Sequence, residues 1–301
     1  MAYLIRSTTA PKYKNYSSFV LNRLTRIYPT YILALCAAVI VDVSIGSPIL
    51  KSILMLPKVD LFFSIIANAT MIGLSGNTFP SNLRQDWIYL GPAWSLTPEI
   101  LFYLLSPIIL SSKYKTSKSV LIQISILFFG LILEFKNYEF FLGNFFPLGK
   151  LFWFMLGSLT FTLFNSRAAI FFRFKTFNLL TLTVFIGMCF LLRINEKSPM
   201  NEVRTYFITI FFCIVMYMSF QATINNKFDF FLGRISYPVY LIHPLIKLIQ
   251  KELSTEDSLA IYNFESFLIY ILTSVCIAAI IVYFFEYPID EYRKSRFRKE
   301  R

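Results

Sequence analysis

The sequence predicts an all-α protein, a polytopic bundle of transmembrane helices. Hydrophobic residues make up 56% of the 301-residue chain and charged residues only 15%, whereas soluble domains carry about a quarter charged residues. The apolar residues fall into separate runs of about 16–22, the length that crosses a bilayer core as a helix. We therefore expect one membrane domain over residues 1–301.

Eight of the apolar runs are predicted to cross the membrane. A further run, residues 59–74, is interrupted by Asn68 and ends in GLSGN, and we expect it to be re-entrant or interfacial on the outer side. The eight predicted spans lie near residues 27–46, 92–110, 118–134, 149–165, 178–193, 205–221, 235–250 and 266–287.

The distribution of charge predicts how the chain is oriented. The net charge of +12 would also suit a nucleic-acid-binding protein, but the basic residues lie in the loops between spans. If residues 59–74 do not cross, one side of the membrane holds 18 Lys and Arg residues and the other holds 8. The positive-inside rule assigns the richer side to the cytoplasm. We expect a multi-pass inner-membrane protein with a cytoplasmic C-terminal tail, RKSRFRKER, that contacts anionic lipid, and no nucleic-acid partner.

The segment FVLNRLTRIYPTY, residues 19–31, is the first that suggests chemistry. Arg23 and Arg26 are three apart and share a face at the cytoplasmic mouth of a helix, with Pro29 expected near the helix start, where proline is tolerated. Paired guanidinium groups bind phosphates in bidentate fashion. The simpler alternative is that the pair only orients the chain.

The second segment is WSLTPEILFY, in which Glu99 is the only charge of residues 92–110. A carboxylate at membrane depth costs about 2.5–3.5 kcal/mol and usually faces a protein interior or a water-filled cavity. Glu99 and Tyr103 are i,i+4 and face the same way. We expect Trp94 near the outer interface and a kink at Pro98. The alternative for Glu99 is a structural pair with an Arg of a neighbouring helix.

Two later segments contain the remaining candidates. LGRISYPVYLIHPL holds His243, the only histidine of the chain, which is either a hydrogen-bonded structural residue or an acid–base group. FFEYPIDEYRKSR holds Glu286 at the inner end of the last helix, with Pro288 expected to terminate that helix and Arg293, or an Arg of another helix, expected to pair with Glu286. The four cysteines lie in hydrophobic runs without CxxC spacing, so no metal site is indicated.

Taken in order, four segments resemble the acyltransferase-3 family of integral membrane O-acyltransferases. RLTRIYPTY is similar to the family's Arg-x-x-Arg entry to its third helix, and WSLTPEILFY to its Trp-Ser-Leu-x-x-Glu-x-x-Phe-Tyr helix. ISYPVYLIH is similar to its Ser-Tyr-x-x-Tyr-Leu-x-His helix, and FEYP to its closing Glu-x-Pro. The family has ten helices, a cytoplasmic C-terminus and a proposed catalytic His on its first helix.

The resemblance also implies what lies before the chain. MAYLIR resembles the last turn of a span, so the first helix of the family and most of the second are expected to precede Met1, and about eight complete spans remain. Without the first-helix His, we expect this chain to be inactive or nearly so, because general-base help is typically worth about 10²–10⁴-fold.

The function implied by the resemblance is transfer of an acyl group, expected to be acetyl, from acyl-CoA to a hydroxyl of a cell-surface polysaccharide or glycolipid sugar. Acyl-CoA is a co-substrate, no cofactor is bound, and the other partners are membrane lipid and the lipid-linked or surface glycan. A glycolipid transporter or flippase and an inactive accessory protein are the alternatives. The candidate catalytic residues are Glu99 and His243, and the candidate substrate-binding residues are Arg23, Arg26, Trp94, Tyr103, Ser236, Tyr237 and Tyr240.

Overall fold

All regular structure in the described part of the chain is helical. The computed structural model describes residues 16–46, 48–71, 88–109, 116–135, 154–160, 226–253 and 264–297. The helices are α1 (Tyr16–Ile45), α2 (Pro48–Leu54), α3 (Lys58–Thr70), α4 (Leu96–Ile109), α5 (Thr116–Phe135), α6 (Lys227–Leu253), α7 (Phe264–Ile281) and α8 (Tyr287–Phe297). The predicted spans 178–193 and 205–221 lie outside the described residues, and within the predicted span 149–165 residues 154–160 are helical.

Helix α1 is longer than the hydropathy of its sequence predicts. It begins at Tyr16 rather than near residue 27, because Phe19 and Val20 are buried and continue its packed face toward the N-terminus. The expectation that Pro29 lies near a helix start is therefore wrong, since Pro29 is inside the helix. Its missing N–H leaves the carbonyl of Thr25 without a helical partner.

Helix α3 is a half-length element that ends beside the middle of α1. Its 13 residues are fewer than the roughly 20 that cross a bilayer, as expected for a re-entrant segment. The Tyr28 hydroxyl donates to the carbonyl of Thr70 at 2.6 Å, and the Tyr31 hydroxyl donates to the carbonyl of Asn68. These bonds fix the C-terminal end of α3 against α1.

Helix α4 starts where α3 ends and runs back along α1. The Thr97 hydroxyl donates to the carbonyl of Met71, and the Tyr16 hydroxyl donates to the carbonyl of Leu104 at 2.8 Å. Pro98 is the third residue of α4, where no N–H is needed, so the expected kink within the helix is wrong. A 3₁₀ turn, Gly91–Ser95, leads into the helix instead.

The path of α4 determines the level along α1 at which Glu99 lies. Because α4 begins beside the middle of α1, Glu99 lies level with the N-terminal, arginine-bearing half of α1, close enough to Arg23 and Arg26 for electrostatic interaction. Helices α2 and α3 accompany the other half of α1.

The last helix does not end at Pro288. It continues from α7 through a π-helical turn, Val282–Glu286, into α8 and reaches Phe297. Pro288 is the second residue of α8, within the first turn after the π-helical turn, where a missing N–H is tolerated. The continuation brings Asp290 and Arg293 against the other helices.

Helix α1 is central to the described core. It packs against α4, α6 and α8, and α6 also packs against α7. Two helices of the described part are long and apolar enough to cross a membrane, Tyr16–Ile45 and the continuous helix Phe264–Arg296. The large apolar side chains exposed on α7, including Phe267, Ile269 and Leu272, are consistent with a lipid-facing surface.

Candidate functional site

A cavity of about 570 Å³ opens between α1, α6, the π-helical turn and α8. It lies beside the half of α1 that carries the two arginines, and its walls combine basic, acidic and aromatic side chains. It is lined by Thr25, Arg26, Pro29, Thr30, Asp229, Phe230, Gly233, Arg234, Tyr237, Glu286, Ile289, Asp290, Arg293 and Lys294.

Arg26 and Glu286 face each other across the cavity from α1 and the π-helical turn. Arg26 is exposed and acts electrostatically on both Glu286 and Glu99. Thr30, one turn beyond Arg26, donates its hydroxyl to Oε1 of Glu286 at 2.8 Å. Of the two partners expected for Glu286, Arg293 binds Asp290 instead, whereas arginines of other helices, Arg26 and Arg234, act on Glu286 electrostatically.

Asp290 forms ion pairs with three cationic side chains at one end of the cavity. Its Oδ2 lies 2.8 Å from Nη2 of Arg234 and 4.0 Å from Nζ of Lys294, while its Oδ1 accepts a hydrogen bond from Arg293. The side chains of Arg234, Arg293 and Asp290 are 15%, 10% and 19% exposed, so this is a largely desolvated cluster. It joins α6 to α8.

Aromatic rings and a backbone carbonyl hold two of these cations in place. The Arg234 guanidinium lies 4.8 Å from the ring centroid of Phe230 and 4.4 Å from that of Tyr287, distances typical of cation–π contacts. Arg293 donates to the carbonyl of Asn22 at 3.3 Å and so connects α8 to α1. The basic end of the cavity is therefore pre-organised.

Glu99, the carboxylate singled out in the segment WSLTPEILFY, does not line the cavity. It accepts a hydrogen bond from the hydroxyl of Tyr103, whose side chain is fully buried. Arg23 is 7% exposed, and its guanidinium lies 5.7 Å from the Tyr103 ring centroid and 5.5 Å from that of Phe19. The two arginines are thus separated, with Arg26 lining the cavity and Arg23 packed against Tyr103.

Only one of the three candidate residues Ser236, Tyr237 and Tyr240 lines the cavity. Tyr237 lines it and donates its hydroxyl to the carbonyl of Ile27 at 2.9 Å. Tyr240 donates to the carbonyl of Pro92, so the hydroxyl of Ser95, 2.7 Å away, donates to Tyr240. Ser236 is exposed and bonds the carbonyl of Gly233 in its own helix at 3.0 Å.

His243 lies beyond Tyr240 on α6 and does not line the cavity. Its Nδ1 is 2.8 Å from the carbonyl of Tyr240 in the same helix, and the two rings are 6.1 Å apart. Trp94 belongs to the 3₁₀ turn whose Pro92 carbonyl binds Tyr240. The structure therefore brings Arg26 and Tyr237 together in the cavity, whereas His243 and Ser236 do not line it.

Nine cavity residues were missed from the sequence, and some of them lie one turn from a residue that was singled out. Residues at i,i+3 or i,i+4 share a helix face, and this spacing was a usable signal. The missed residues include Thr30, four after Arg26; Arg234, three before Tyr237; Asp290, four after Glu286; and Lys294.

The arrangement suits a ligand that carries both anionic and hydrogen-bonding groups. Arginine at the cavity wall can bind phosphate oxygens, while the Glu286 carboxylate and the Tyr237 side chain offer polar contacts deeper in. In the part of the chain described here, no three His, Cys, Asp or Glu residues cluster in a way that could hold a metal ion.

Comparison with known proteins identifies the family. No curated protein matches the chain, and no solved structure matches it. The model of the acyltransferase-3 family, described as an acyltransferase domain, matches residues 2–284. That match contains the segments around Arg26, Tyr103 and Tyr237 and ends just before Glu286. The chain therefore belongs to the acyltransferase-3 family.

Proposed function

We propose that this protein is a membrane-bound O-acyltransferase that moves an acyl group, acetyl in the simplest case, from acyl-CoA to a hydroxyl of a cell-surface polysaccharide or glycolipid sugar. Membership of the family supports acyl transfer. The observation that carries the donor assignment is the cavity that holds Arg26, Arg234 and Lys294 together.

The basic end of the cavity fits the phosphates of a coenzyme A thioester. Guanidinium groups bind phosphate in a bidentate manner, and Arg26 is exposed to the cavity rather than packed away. The cavity volume of about 570 Å³ lies in the range of small-molecule sites, about 300–1,000 Å³. The charge distribution of the loops predicts that this end faces the cytoplasm, where acyl-CoA is found, and this supports the proposal.

Glu99 has a supporting role in this proposal. It lies behind the cavity wall, holds the Tyr103 hydroxyl, and acts electrostatically on Arg26. It therefore positions the cationic wall rather than contacting substrate. Trp94, Ser236, Tyr240 and His243 remain candidates for binding the acceptor.

A glycolipid flippase is the second candidate, and one observation favours it. Helices α3 and α4 are half-length elements that meet beside the middle of α1, and discontinuous helices often line transporter binding sites. In that case the cavity would bind a lipid-linked phosphate without any transfer of an acyl group.

Substitution of Arg26 tests the donor site. In lipid nanodiscs, Arg26→Ala should raise the Kd of CoA, measured by equilibrium dialysis, about 10–100-fold, because a charge-assisted hydrogen bond is worth about 1.5–3 kcal/mol. Arg26→Lys should recover only part of the loss, since lysine lacks the planar fork.

Arg296→Ala is the matched control, because Arg296 is an exposed arginine outside the cavity. It should leave the Kd of CoA unchanged. An Arg26→Ala protein with the Kd of the unmodified protein would contradict the donor assignment. Binding of a lipid-linked phosphate but not of CoA would favour the flippase.

A further inference from the structure

Lys294 is a cation of the cavity wall that its neighbours hold only weakly. It lines the cavity, and its side chain is 46% exposed. Its Nζ lies 4.0 Å from Oδ2 of Asp290, which is too long for a hydrogen bond, and the same carboxylate already binds Arg234 and Arg293. Because an ammonium group has three donors, Lys294 can bind an anion without giving up a structural contact.

The balance of charge favours an anionic ligand at the end of the cavity where Lys294 lies. There the single carboxylate of Asp290 faces three cationic side chains. Over the whole cavity, four cationic and three acidic side chains leave one net positive charge. A phosphate group beside Lys294 would therefore meet a field of the opposite sign.

Lys294 and Arg26 lie at different levels of the cavity. Arg293 donates to the carbonyl of Asn22, which is four residues, or about 6 Å of helix, before Arg26 on α1. Glu286 is bonded in the opposite direction, by the threonine four residues after Arg26. Because Lys294 directly follows Arg293, it lies about one helical turn from Arg26, on the side away from Glu286. The cavity thus offers two separate cationic positions along one line.

An exposed aromatic ring, that of Phe230, lies at the same level as Lys294. The end of α6 bonds the start of α7, which α8 continues, so α6 and α8 are antiparallel. They meet where Arg234 binds Asp290. Phe230 is one turn before Arg234 and Lys294 is one turn after Asp290, which brings the two side chains to one level.

The Phe230 ring has room for a planar ligand. It lines the cavity and is 62% exposed, although the Arg234 guanidinium lies 4.8 Å from its centroid. Aromatic side chains of this kind are platforms on which nucleic-acid bases stack. A base on Phe230 and a phosphate on Lys294 together describe the two parts of a phosphorylated nucleoside.

We propose that Phe230 and Lys294 form the subsite for the 3′-phosphoadenosine end of coenzyme A, an assignment that rests on the proposed function. The adenine ring stacks on Phe230 and the 3′-phosphate binds Lys294. Arg26 binds the diphosphate one helical turn away, and the pantetheine arm extends past Glu286. Lys294 therefore distinguishes coenzyme A from a donor that lacks the 3′-phosphate.

The test compares CoA with 3′-dephospho-CoA, which differ only in that phosphate, by equilibrium dialysis against the full chain in nanodiscs. The unmodified protein should bind CoA about 5–10-fold more tightly, a charge-assisted contact weakened by the exposure of Lys294. Lys294→Ala should raise the Kd of CoA by that factor and leave the Kd of 3′-dephospho-CoA within about twofold. Arg296→Ala, an exposed arginine of the same helix outside the cavity, should keep the preference for CoA.

Substitution of Phe230 tests the other half of the subsite. Phe230→Leu keeps an apolar side chain but removes the aromatic face, so it should raise the Kd of CoA and of 3′-dephospho-CoA by the same factor, about fivefold or more. Phe228→Leu is the matched control, because Phe228 is 66% exposed and does not line the cavity. It should change neither Kd.

Equal Kd values of the unmodified protein for CoA and 3′-dephospho-CoA would overturn the subsite and leave the donor assignment intact. A Lys294→Ala protein that keeps the full preference for CoA would overturn it as well, as would a Phe230→Leu protein with unchanged affinities. If the unmodified protein binds neither ligand, the proposed donor site fails and the subsite fails with it.

Discussion

At the scale of single residues, sequence neighbours have different roles because each meets a different partner. Arg23 and Arg26 are three apart on α1, yet Arg23 is packed on Tyr103 while Arg26 lines the cavity. Asp290 is the clearest case of a residue that acts through others. Its carboxylate holds Arg234 of α6 and Arg293 of α8 in place.

Asp290→Ala should therefore destabilise the protein by about 2–3 kcal/mol. Removing one partner from a largely buried ion cluster leaves the remaining charges poorly compensated, at a cost of about 3–5 kcal/mol when burial is complete, and the partial exposure here reduces that cost. The measurement is the midpoint of thermal unfolding in detergent. Glu291→Ala, one residue on and exposed, should shift the midpoint little, and equal midpoints for both variants would argue against the cluster.

At the scale of elements, the described architecture departs from uninterrupted spanning helices in two places. Helices α3 and α4 are half-length, and Met71 at the end of α3 has a positive φ of 60°, which is uncommon for a residue other than glycine. The Thr97 hydroxyl binds the carbonyl of Met71 and holds this conformation. In the last helix, the π-helical turn accommodates one extra residue between α7 and α8.

Deletion of Phe284 tests the role of the π-helical turn. Removing one residue should let the turn close as regular α-helix, and α8 should keep its orientation relative to α7 because the turn only accommodates the extra residue. Asp290 then stays within reach of Arg234, so the expected thermal stability is that of Phe284→Ala.

Phe284→Ala is the matched control, because Phe284 is 71% exposed and its side chain makes no contact with the cavity. A loss of stability in the deletion variant as large as that of Asp290→Ala would mean that the π-helical turn sets the position of Asp290.

At the scale of the whole molecule, four segments that are distant in sequence meet around one cavity. Arg26 comes from α1, Arg234 and Tyr237 from α6, Glu286 from the π-helical turn and Asp290 from α8. The cavity lies at the end of the bundle that the basic loops assign to the cytoplasm. The orientation of the chain therefore determines which side of the membrane the cavity faces.

Cysteine labelling tests that orientation. In a background with Cys36, Cys189, Cys213 and Cys276 replaced, Lys58→Cys at the start of α3 should react with a membrane-impermeant maleimide on intact cells. Ser295→Cys, exposed near the end of α8, should react only after the membrane is opened. Labelling of position 295 on intact cells would reverse the assigned topology. The distribution of charge also predicts that Asn82 and Lys136 lie outside, and both positions fall outside the described residues.

The sequence by itself determined the class of structure, the family, and most of the segments that build the site. Hydropathy is a local property of composition, so it predicted helices, and it predicted that residues 59–74 do not form a full span. The motif spacings placed Arg26, Tyr237 and Glu286 on helices, since helical periodicity is also local.

Only the tertiary structure decided which of these residues share a cavity. Whether a proline begins, interrupts or ends a helix depends on what packs beside it, which is why Pro29, Pro98 and Pro288 were each misplaced from sequence alone. The pairing of Asp290 on α8 with Arg234 on α6 joins residues 56 apart in sequence. Such choices are made by contacts between helices remote in sequence, and no local pattern records them.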